Sequence, residues 1–114
     1  MGSQIALRLA LNGHNIAVIS RDRIKVQKII TTNITTNLRT ANLPKEIGDT
    51  CDIVIICVKD YQAVSDVSFS SGGLTETKYS DLIVVQCSTI SPEESSSMAG
   101  LYSKKHIRML SVLY

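Results

Sequence analysis

Long apolar runs are missing from this sequence: none approaches about 18 residues, the length that a membrane-spanning helix requires. Residues 1–11 also lack the basic start and the continuous apolar stretch of a signal peptide. The cysteines, Cys51, Cys57 and Cys87, are an odd number without C-x-x-C spacing, which favours buried free thiols in a reducing compartment. We therefore expect a soluble, cytoplasmic protein that does not bind a membrane.

A large excess of charge of either sign is missing as well. The formal net charge is +2, which is too small to indicate binding to nucleic acid or to an anionic membrane. Internal repeats and low-complexity tracts are absent, and no metal site is predicted. With 114 residues, of which 44% are hydrophobic and 19% charged, the chain is expected to form one domain around a single core.

Helical and strand patterns alternate along the chain. Short, continuous apolar runs predict strands, and apolar residues at helical spacing predict the segments between them to be helices. The predicted helices are 3–12, 21–31, 44–50, 61–67 and 91–103, and the predicted strands are 15–20, a short one near Ile34, 53–58, 82–87 and 107–113. This alternation indicates an α/β fold with a parallel sheet covered on both faces.

Three local signals fix helix ends. Gly13 suits the left-handed position that commonly follows a helix. Pro44 suits the first position of a helix. Ser91 is predicted to cap the helix that follows it, with Glu94 completing a capping box.

The start of the chain resembles part of a dinucleotide-binding loop. Gly2 and the helix after it fit the last glycine of G-x-G-x-x-G and the helix that this loop opens, although the preceding strand and two glycines are absent. The next strand ends at Ser20 and Arg21, about twenty residues on, where the motif places its ribose-reading residue. An ordinary amphipathic helix followed by a strand accounts equally well for this spacing.

The residues at this strand end favour NADP over NAD. Ser20 occupies the position where NAD-selective sites usually carry an acidic residue, and Arg21, Arg23 and Lys25 follow it. A carboxylate would repel a 2′-phosphate, whereas a guanidinium binds one through two hydrogen bonds. Asp22 weakens this interpretation, and a solvated, charged helix start is the alternative.

Three segments carry a family resemblance, which covers nearly the whole chain in order. These are the pattern M-G-x-x-I-A-x-x-L-x-x-x-G-H-x-I-x-V-x-x-R over residues 1–21, C-D-I-V-I-I-C-V over residues 51–58, and Q-C-S-T-I-S-P-E over residues 86–93. Together they resemble the amino-terminal domain of the β-hydroxyacid dehydrogenases, which include 3-hydroxyisobutyrate and 6-phosphogluconate dehydrogenases. The S-T-I-S-P segment is the most specific of the three.

The resemblance implies roles for individual residues. Ser88 would donate to the carboxylate of a small-molecule substrate, and the remaining residues would contact the cofactor, NADP or alternatively NAD. Gly2 and Ser3 would lie at the pyrophosphate, Arg21 and Lys25 at the 2′-phosphate beside Ser20, Val58 and Lys59 along the path from adenosine to nicotinamide, and Thr89 at the nicotinamide ribose. The chain departs from the family at Lys59, where proline is common, and at residues 111–113, where Asp-Ala-Pro is common.

The resemblance also implies that parts of the enzyme are missing. The Rossmann-like, doubly wound sheet has the strand order 3-2-1-4-5-6, and its first, central strand would precede Met1. The proton-transferring lysine and the all-helical domain that closes the site and builds a homodimer would follow Tyr114. We therefore expect residues 1–114 to be a partial dinucleotide-binding domain, a fragment without a catalytic residue. The strands at Ile16 and Ile53 would then be either separated or directly paired.

Two related enzymes and one unrelated class remain as alternatives. Val58-Lys59-Asp60-Tyr61-Gln62 resembles a segment of ketopantoate reductase, which has the same kind of cofactor domain and prefers NADP. Residues 33–47 resemble glycerol-3-phosphate dehydrogenase more weakly. A non-catalytic, stand-alone α/β binding module is the third alternative. His14 and His106 are both interpreted as structural or solvated residues rather than catalytic bases.

Overall fold

The computed structural model describes residues 2–20, 22–32, 37–78 and 81–112. The chain divides into two compact units, residues 1–42 and residues 43–114. The described residues form a two-stranded sheet in unit 1 and a three-stranded sheet in unit 2, and both sheets are parallel. This confirms the predicted α/β architecture, and the strands at Ile16 and Ile53 belong to different sheets.

Unit 1 contains two helix–strand pairs. They are α1 (Gly2–Leu11), β1 (Ile16–Val18), α2 (Arg23–Thr32) and β2 (Leu38–Thr40). Strands β1 and β2 are in register from Ile16 opposite Leu38 to Val18 opposite Thr40. The apolar spacing of α1 buries Ala6 and Ala10, and α2 and β2 add Val26 and Leu38 to this small core.

The end of α1 is set by a left-handed residue, as the sequence predicts. Gly13 has φ 90°. Its N–H donates to the carbonyl oxygen of Ala10, and the N–H of His14 donates to that of Leu9, which is the bonding pattern of a Schellman cap. The side chain of Asn37 then donates to the carbonyl oxygens of Ala10 and His14, at 2.8 and 2.7 Å, and so ties this turn to the start of β2.

Unit 2 contains three strands in sequential order with helices between them. Its elements are α3 (Pro44–Thr50), β3 (Ile53–Ile56), α4 (Tyr61–Phe69), a 3-10 turn (Leu74–Glu76), β4 (Ile83–Gln86), α5 (Pro92–Ser103) and β5 (Arg108–Ser111). The register aligns Ile56 with Gln86, and Gln86 with Ser111. The carboxyl ends of all three strands therefore lie at one edge of this sheet.

Side chains fix the starts of the longer helices of unit 2. Ser91 accepts from the N–H of Glu94 at 3.1 Å, and the Glu94 carboxylate accepts from the N–H of Ser91 at 2.8 Å, which completes the predicted capping box of α5. Asp60 accepts from the N–H of Ala63 at 2.9 Å and caps α4. Pro44 opens α3, as predicted.

The core of unit 2 is centred on Tyr102. Its ring lies 5.3 Å from that of Phe69, and its hydroxyl donates to the hydroxyl of Ser68. Thr75 in turn donates to the carbonyl oxygen of Ser68 at 2.9 Å, so the buried serine joins α4, α5 and the 3-10 turn. The other fully buried side chains in this unit include Val64, Leu74, Leu82, Val84 and Met98.

Within unit 2, the connecting helices lie against one face of the three-stranded sheet. In β3, Val54 and Ile56 are buried, whereas Ile53 and Ile55 are 56% and 40% exposed, and Leu110 of β5 is also exposed. The cause lies in the topology. Right-handed crossovers between sequential parallel strands place both connecting helices, α4 and α5, on the same face.

The strand predicted near Ile34 falls on residues 33–36, outside the described residues, and β2 lies at Leu38–Thr40, where no strand is predicted. Two further expectations are corrected. Ile24, whose position contributes to the apolar spacing that predicts the helix 21–31, is 83% exposed. The cysteines are free, but Cys87 is buried while Cys51 and Cys57 are half-buried. Among the described residues, no helix has the length and hydropathy needed to span a membrane.

Candidate functional site

The carboxyl ends of β3 and β4 are joined by one side chain. The N–H of Val58 donates to the hydroxyl oxygen of Ser88 at 2.8 Å, across 30 residues of sequence. One residue earlier, the N–H of Cys87 donates to the carbonyl oxygen of Ile56 at 2.9 Å. We call residues 57–59 and 87–89 the β3–β4 junction. It brings together two residues that the sequence assigns to cofactor and substrate, Val58 and Ser88.

Gln86 holds the backbone of the junction. This side chain is buried, at 1% exposure, at the last position of β4. Its Oε1 accepts from the N–H of Ser88, and its Nε2 donates to the carbonyl oxygen of the same residue at 3.0 Å. Because one planar amide meets both backbone polar groups of Ser88, the serine is fixed in position and its buried backbone is satisfied.

The hydroxyl of Ser88 retains a proton that it can donate. Its oxygen accepts the Val58 hydrogen bond, and a serine hydroxyl carries one donor beside its two acceptor sites. The side chain is only 6% exposed, so a hydrogen bond at this position is shielded from water. The geometry therefore suits recognition of an acceptor such as a carboxylate oxygen at the end of the sheet.

The outer members of the junction are open to solvent. Lys59 and Thr89 are both exposed, each directly after a fixed residue of the pair. Asp60, the residue after Lys59, is engaged as the cap of α4. Lys59 thus stands between two anchored positions, with an exposed ammonium group at the strand end.

Two residues of the junction, Cys57 and Cys87, lie side by side. Burial raises the pKa of the Cys57 thiol, and the neighbouring Cys87 side chain raises it further. Cys57 is therefore expected to rest as a thiol rather than a thiolate at neutral pH.

In unit 1, the predicted pyrophosphate residues open a helix. Gly2 and Ser3 are the first two residues of α1, a helix of 10 residues whose first turn contains no acidic side chain. Ser20 is exposed, two residues beyond β1, and its hydroxyl accepts from the N–H of Asp22 at 3.3 Å. Asp22 directly precedes α2.

The remaining predicted residues of unit 1 are only partly placed. Arg21 lies outside the described residues. Lys25 lies in α2, between Arg23 and Val26, but its side chain falls outside the described part of the chain. The role of both residues at a 2′-phosphate therefore stays a prediction from the sequence.

Sequence reasoning missed Gln86 and the Val58–Ser88 hydrogen bond. One signal for the glutamine was present, because a polar side chain at the end of an otherwise apolar run, L-I-V-V-Q-C, requires a hydrogen-bonding partner when the strand is buried. The hydrogen bond had no local signal, since its partners are 30 residues apart.

Parallel strands linked by helices, with polar groups collected at the carboxyl ends of the strands, are typical of nucleotide-binding α/β domains. Residues 1–112 match the family described as the NAD binding domain of 6-phosphogluconate dehydrogenase. The chain belongs to this family of NAD-binding domains, which confirms the resemblance seen in the sequence.

Known proteins agree with this assignment. The chain is 30% identical over 105 residues to an uncharacterised oxidoreductase of Bacillus subtilis (strain 168), YfjR, across 92% of this chain and 35% of that protein. The structure of Psf3 in complex with NADP+ and 2-OPP is similar at a TM-score of 0.83 and 23% identity, over 96% of this chain and 37% of that one. A 3-hydroxyisobutyrate dehydrogenase from Salmonella typhimurium is similar at a TM-score of 0.78 and 18% identity, over 95% and 36%.

The chain thus spans about a third of the length of the proteins that it matches. At this identity the two structures establish the fold, and the family establishes the dinucleotide cofactor.

Proposed function

We propose that this chain is the NADP-binding portion of an oxidoreductase that transfers a hydride to or from a hydroxy acid. The observation that carries the proposal is the β3–β4 junction, where Gln86 and Val58 fix Ser88 at the carboxyl end of the sheet. In open α/β sheets, ligands bind at this end of the strands. Substrate chemistry would draw on further parts of a longer enzyme, and we assign no catalytic residue to residues 1–114.

The start of α1 fits a pyrophosphate. The first backbone N–H groups of a helix have no partner within it, and the helix dipole favours negative charge there. The absence of acidic side chains from the first turn leaves this preference intact. Gly2 and Ser3 would hold the pyrophosphate through backbone N–H groups.

The residues after β1 would select NADP. Ser20 places no negative charge at the ribose, and Arg21 and Lys25 would bind the 2′-phosphate. Support comes from the fold neighbour Psf3, whose structure contains NADP+. The acidic Asp22 directs its N–H to Ser20, which keeps the backbone of this turn compact.

The junction would hold the reactive end of the cofactor and the substrate. Val58 and Lys59 would line the cofactor path, and Thr89 would reach the nicotinamide ribose. The hydroxyl of Ser88 would donate to a substrate carboxylate, since its oxygen already accepts from Val58. The bound nicotinamide supplies or accepts the hydride, and a 3-hydroxyisobutyrate dehydrogenase among the fold neighbours supports a hydroxy acid as substrate.

The contacts of residues 58–62, the segment that resembles ketopantoate reductase, do not support that alternative. Asp60 accepts from the N–H of Ala63, and the Gln62 side chain donates to Asp66 at 2.9 Å. These contacts are local to α4, so they account for the Asp60 and Gln62 of the segment without a ligand.

The cofactor assignment is tested by fluorescence titration of the chain with NADPH and with NADH. Arg21→Asp should raise the Kd for NADPH at least about tenfold, because it removes a charge-assisted pair and adds repulsion, and it should change the Kd for NADH much less. The matched control is Arg108→Asp, which makes the same charge change at an exposed residue of β5. Equal NADPH affinity in the Arg21→Asp and unmodified chains would refute the role of Arg21.

A further inference from the structure

The strand register places two cysteines next to each other at the β3–β4 junction. Ile56 is aligned with Gln86, and the N–H of Cys87 donates to the carbonyl oxygen of Ile56 at 2.9 Å. Cys57 and Cys87 are therefore neighbours across adjacent parallel strands, which lie about 4.8 Å apart. This separation falls within the range of about 4.4–6.8 Å that disulfides span between Cα atoms.

The two side chains also point in compatible directions. Alternation along the strands places Cys57 on the same face as Ile53 and Ile55, and Cys87 on the same face as Val85. Paired positions on one face of a parallel ladder bring the two side chains next to each other, and the neighbouring Cys87 contributes to the raised pKa of the Cys57 thiol. Because Ile53 and Ile55 are exposed, a small reagent can reach Cys57, which is itself half-buried.

We propose that Cys57 and Cys87 form a modification site, at which a low-molecular-weight disulfide converts the two thiols into one intramolecular disulfide. The more accessible Cys57 thiol loses its proton to solvent, and its sulfur then attacks one sulfur of the reagent, whose S–S bond breaks and releases the first thiolate. The Cys87 sulfur then attacks Cys57 in this mixed disulfide and displaces the second. The protein gives up two electrons and two protons, and the reagent becomes two thiols.

The third cysteine provides an internal control. Cys51 lies before β3, near Thr50, with its sulfur 3.8 Å from the Thr50 hydroxyl. Six residues of extended chain separate Cys51 from Cys57, so their sulfurs lie about 20 Å apart. In the folded chain, Cys51 therefore cannot compete for either partner, although it is the nearer of the two to Cys57 in sequence.

The test is peptide mapping of the whole chain after incubation with oxidised glutathione. Free thiols are blocked, and the protein is cleaved before each aspartate without reduction, which puts the cysteines in three peptides, 49–51, 52–59 and 81–114. We expect the linked pair 52–59 with 81–114 to exceed every link that contains 49–51 by at least about tenfold, because proximity raises the effective concentration. Dithiothreitol should restore the separate peptides, and Cys51→Ala should leave the yield unchanged.

Oxidation in urea separates proximity in the fold from proximity in sequence. In the unfolded chain the short loop between Cys51 and Cys57 closes more readily than the long loop to Cys87, so the preferred link should change to 49–51 with 52–59. Recovery of Cys57 and Cys87 from the folded chain as separate blocked peptides or separate glutathione adducts would overturn the proposal. An identical pattern of links with and without urea would overturn it as well. None of these outcomes depends on cofactor binding.

Discussion

Gln86→Met tests how the junction is held together. Methionine approximates the size and shape of glutamine but cannot donate to, or accept from, the backbone of Ser88. Both hydrogen bonds to this residue would be lost, while Val58 would still donate to its hydroxyl. The substitution therefore removes the backbone support of the junction and leaves the Ser88 side chain unchanged.

The size of the effect follows from burial. Ser88 is 6% exposed, so its N–H and carbonyl groups cannot turn to water when the amide is removed. Each buried polar group left without a partner costs about 1–3 kcal/mol, and the more apolar methionine offsets part of this. We expect the free energy of unfolding to fall by about 3 kcal/mol.

The measurement is urea unfolding followed by far-ultraviolet circular dichroism. An unchanged slope of the unfolding free energy against urea concentration would show that two-state behaviour is kept. Gln62→Met is the matched control, because Gln62 is exposed on α4 and donates only to Asp66. It should change stability by less than about 0.5 kcal/mol. If the free energy of unfolding fell by the same small amount in both variants, the role of Gln86 as the support of the junction would be refuted.

Three other predictions concern stability. Burial raises the pKa of Tyr102 to about 12, so the fold favours the neutral phenol. The stabilisation is complete below pH 10, the pKa of the unfolded tyrosine, and the free energy of unfolding should fall by about 3 kcal/mol between pH 10 and pH 12. In a series of urea midpoints measured against pH, Tyr102→Phe should remove most of this fall. His106 has φ 61°, and His106→Gly should raise stability by about 0.5–1 kcal/mol; a lower thermal midpoint would contradict this. Gly73→Ala would place a Cβ 2.8 Å from the carbonyl oxygen of Ser70 and should cost about 1–3 kcal/mol, whereas Gly100→Ala, with open space around it, should be neutral or stabilising in the same assay.

Local signals predicted the helices well. The starts of α3 and α5 agree with the prediction, because Pro44 and the Ser91–Glu94 capping box act through residues within one helical turn. The strand β2 at Leu38–Thr40 was not predicted, since residues 31–42 are rich in threonine and asparagine and lack an apolar period. Where a helix has its own capping residues, the sequence was sufficient to predict where the helix begins or ends.

Non-local features could not be predicted in the same way. The Val58–Ser88 hydrogen bond and the Cys57–Cys87 contact depend on the register of β3 and β4, which no residue of either strand encodes alone. The exposed face of Ile53 and Ile55 depends on the hand of two crossovers, whereas continuous apolar strands indicated burial on both sides. The site residues were predicted from the family resemblance, whereas the hydrogen bonds that hold them in place became visible only in the structure.

The fully buried side chains are unevenly distributed between the two units. Among the described residues, every large side chain with less than 2% exposure belongs to unit 2, including the Tyr102–Ser68 pair and Gln86. Opening of unit 1 therefore exposes less apolar surface, and its amides should exchange with solvent at lower free energy than those of β4. Random substitution should follow the same division: residues 1–42 are expected to accept most changes with little loss of folded protein, while residues 43–114 will reject many of them.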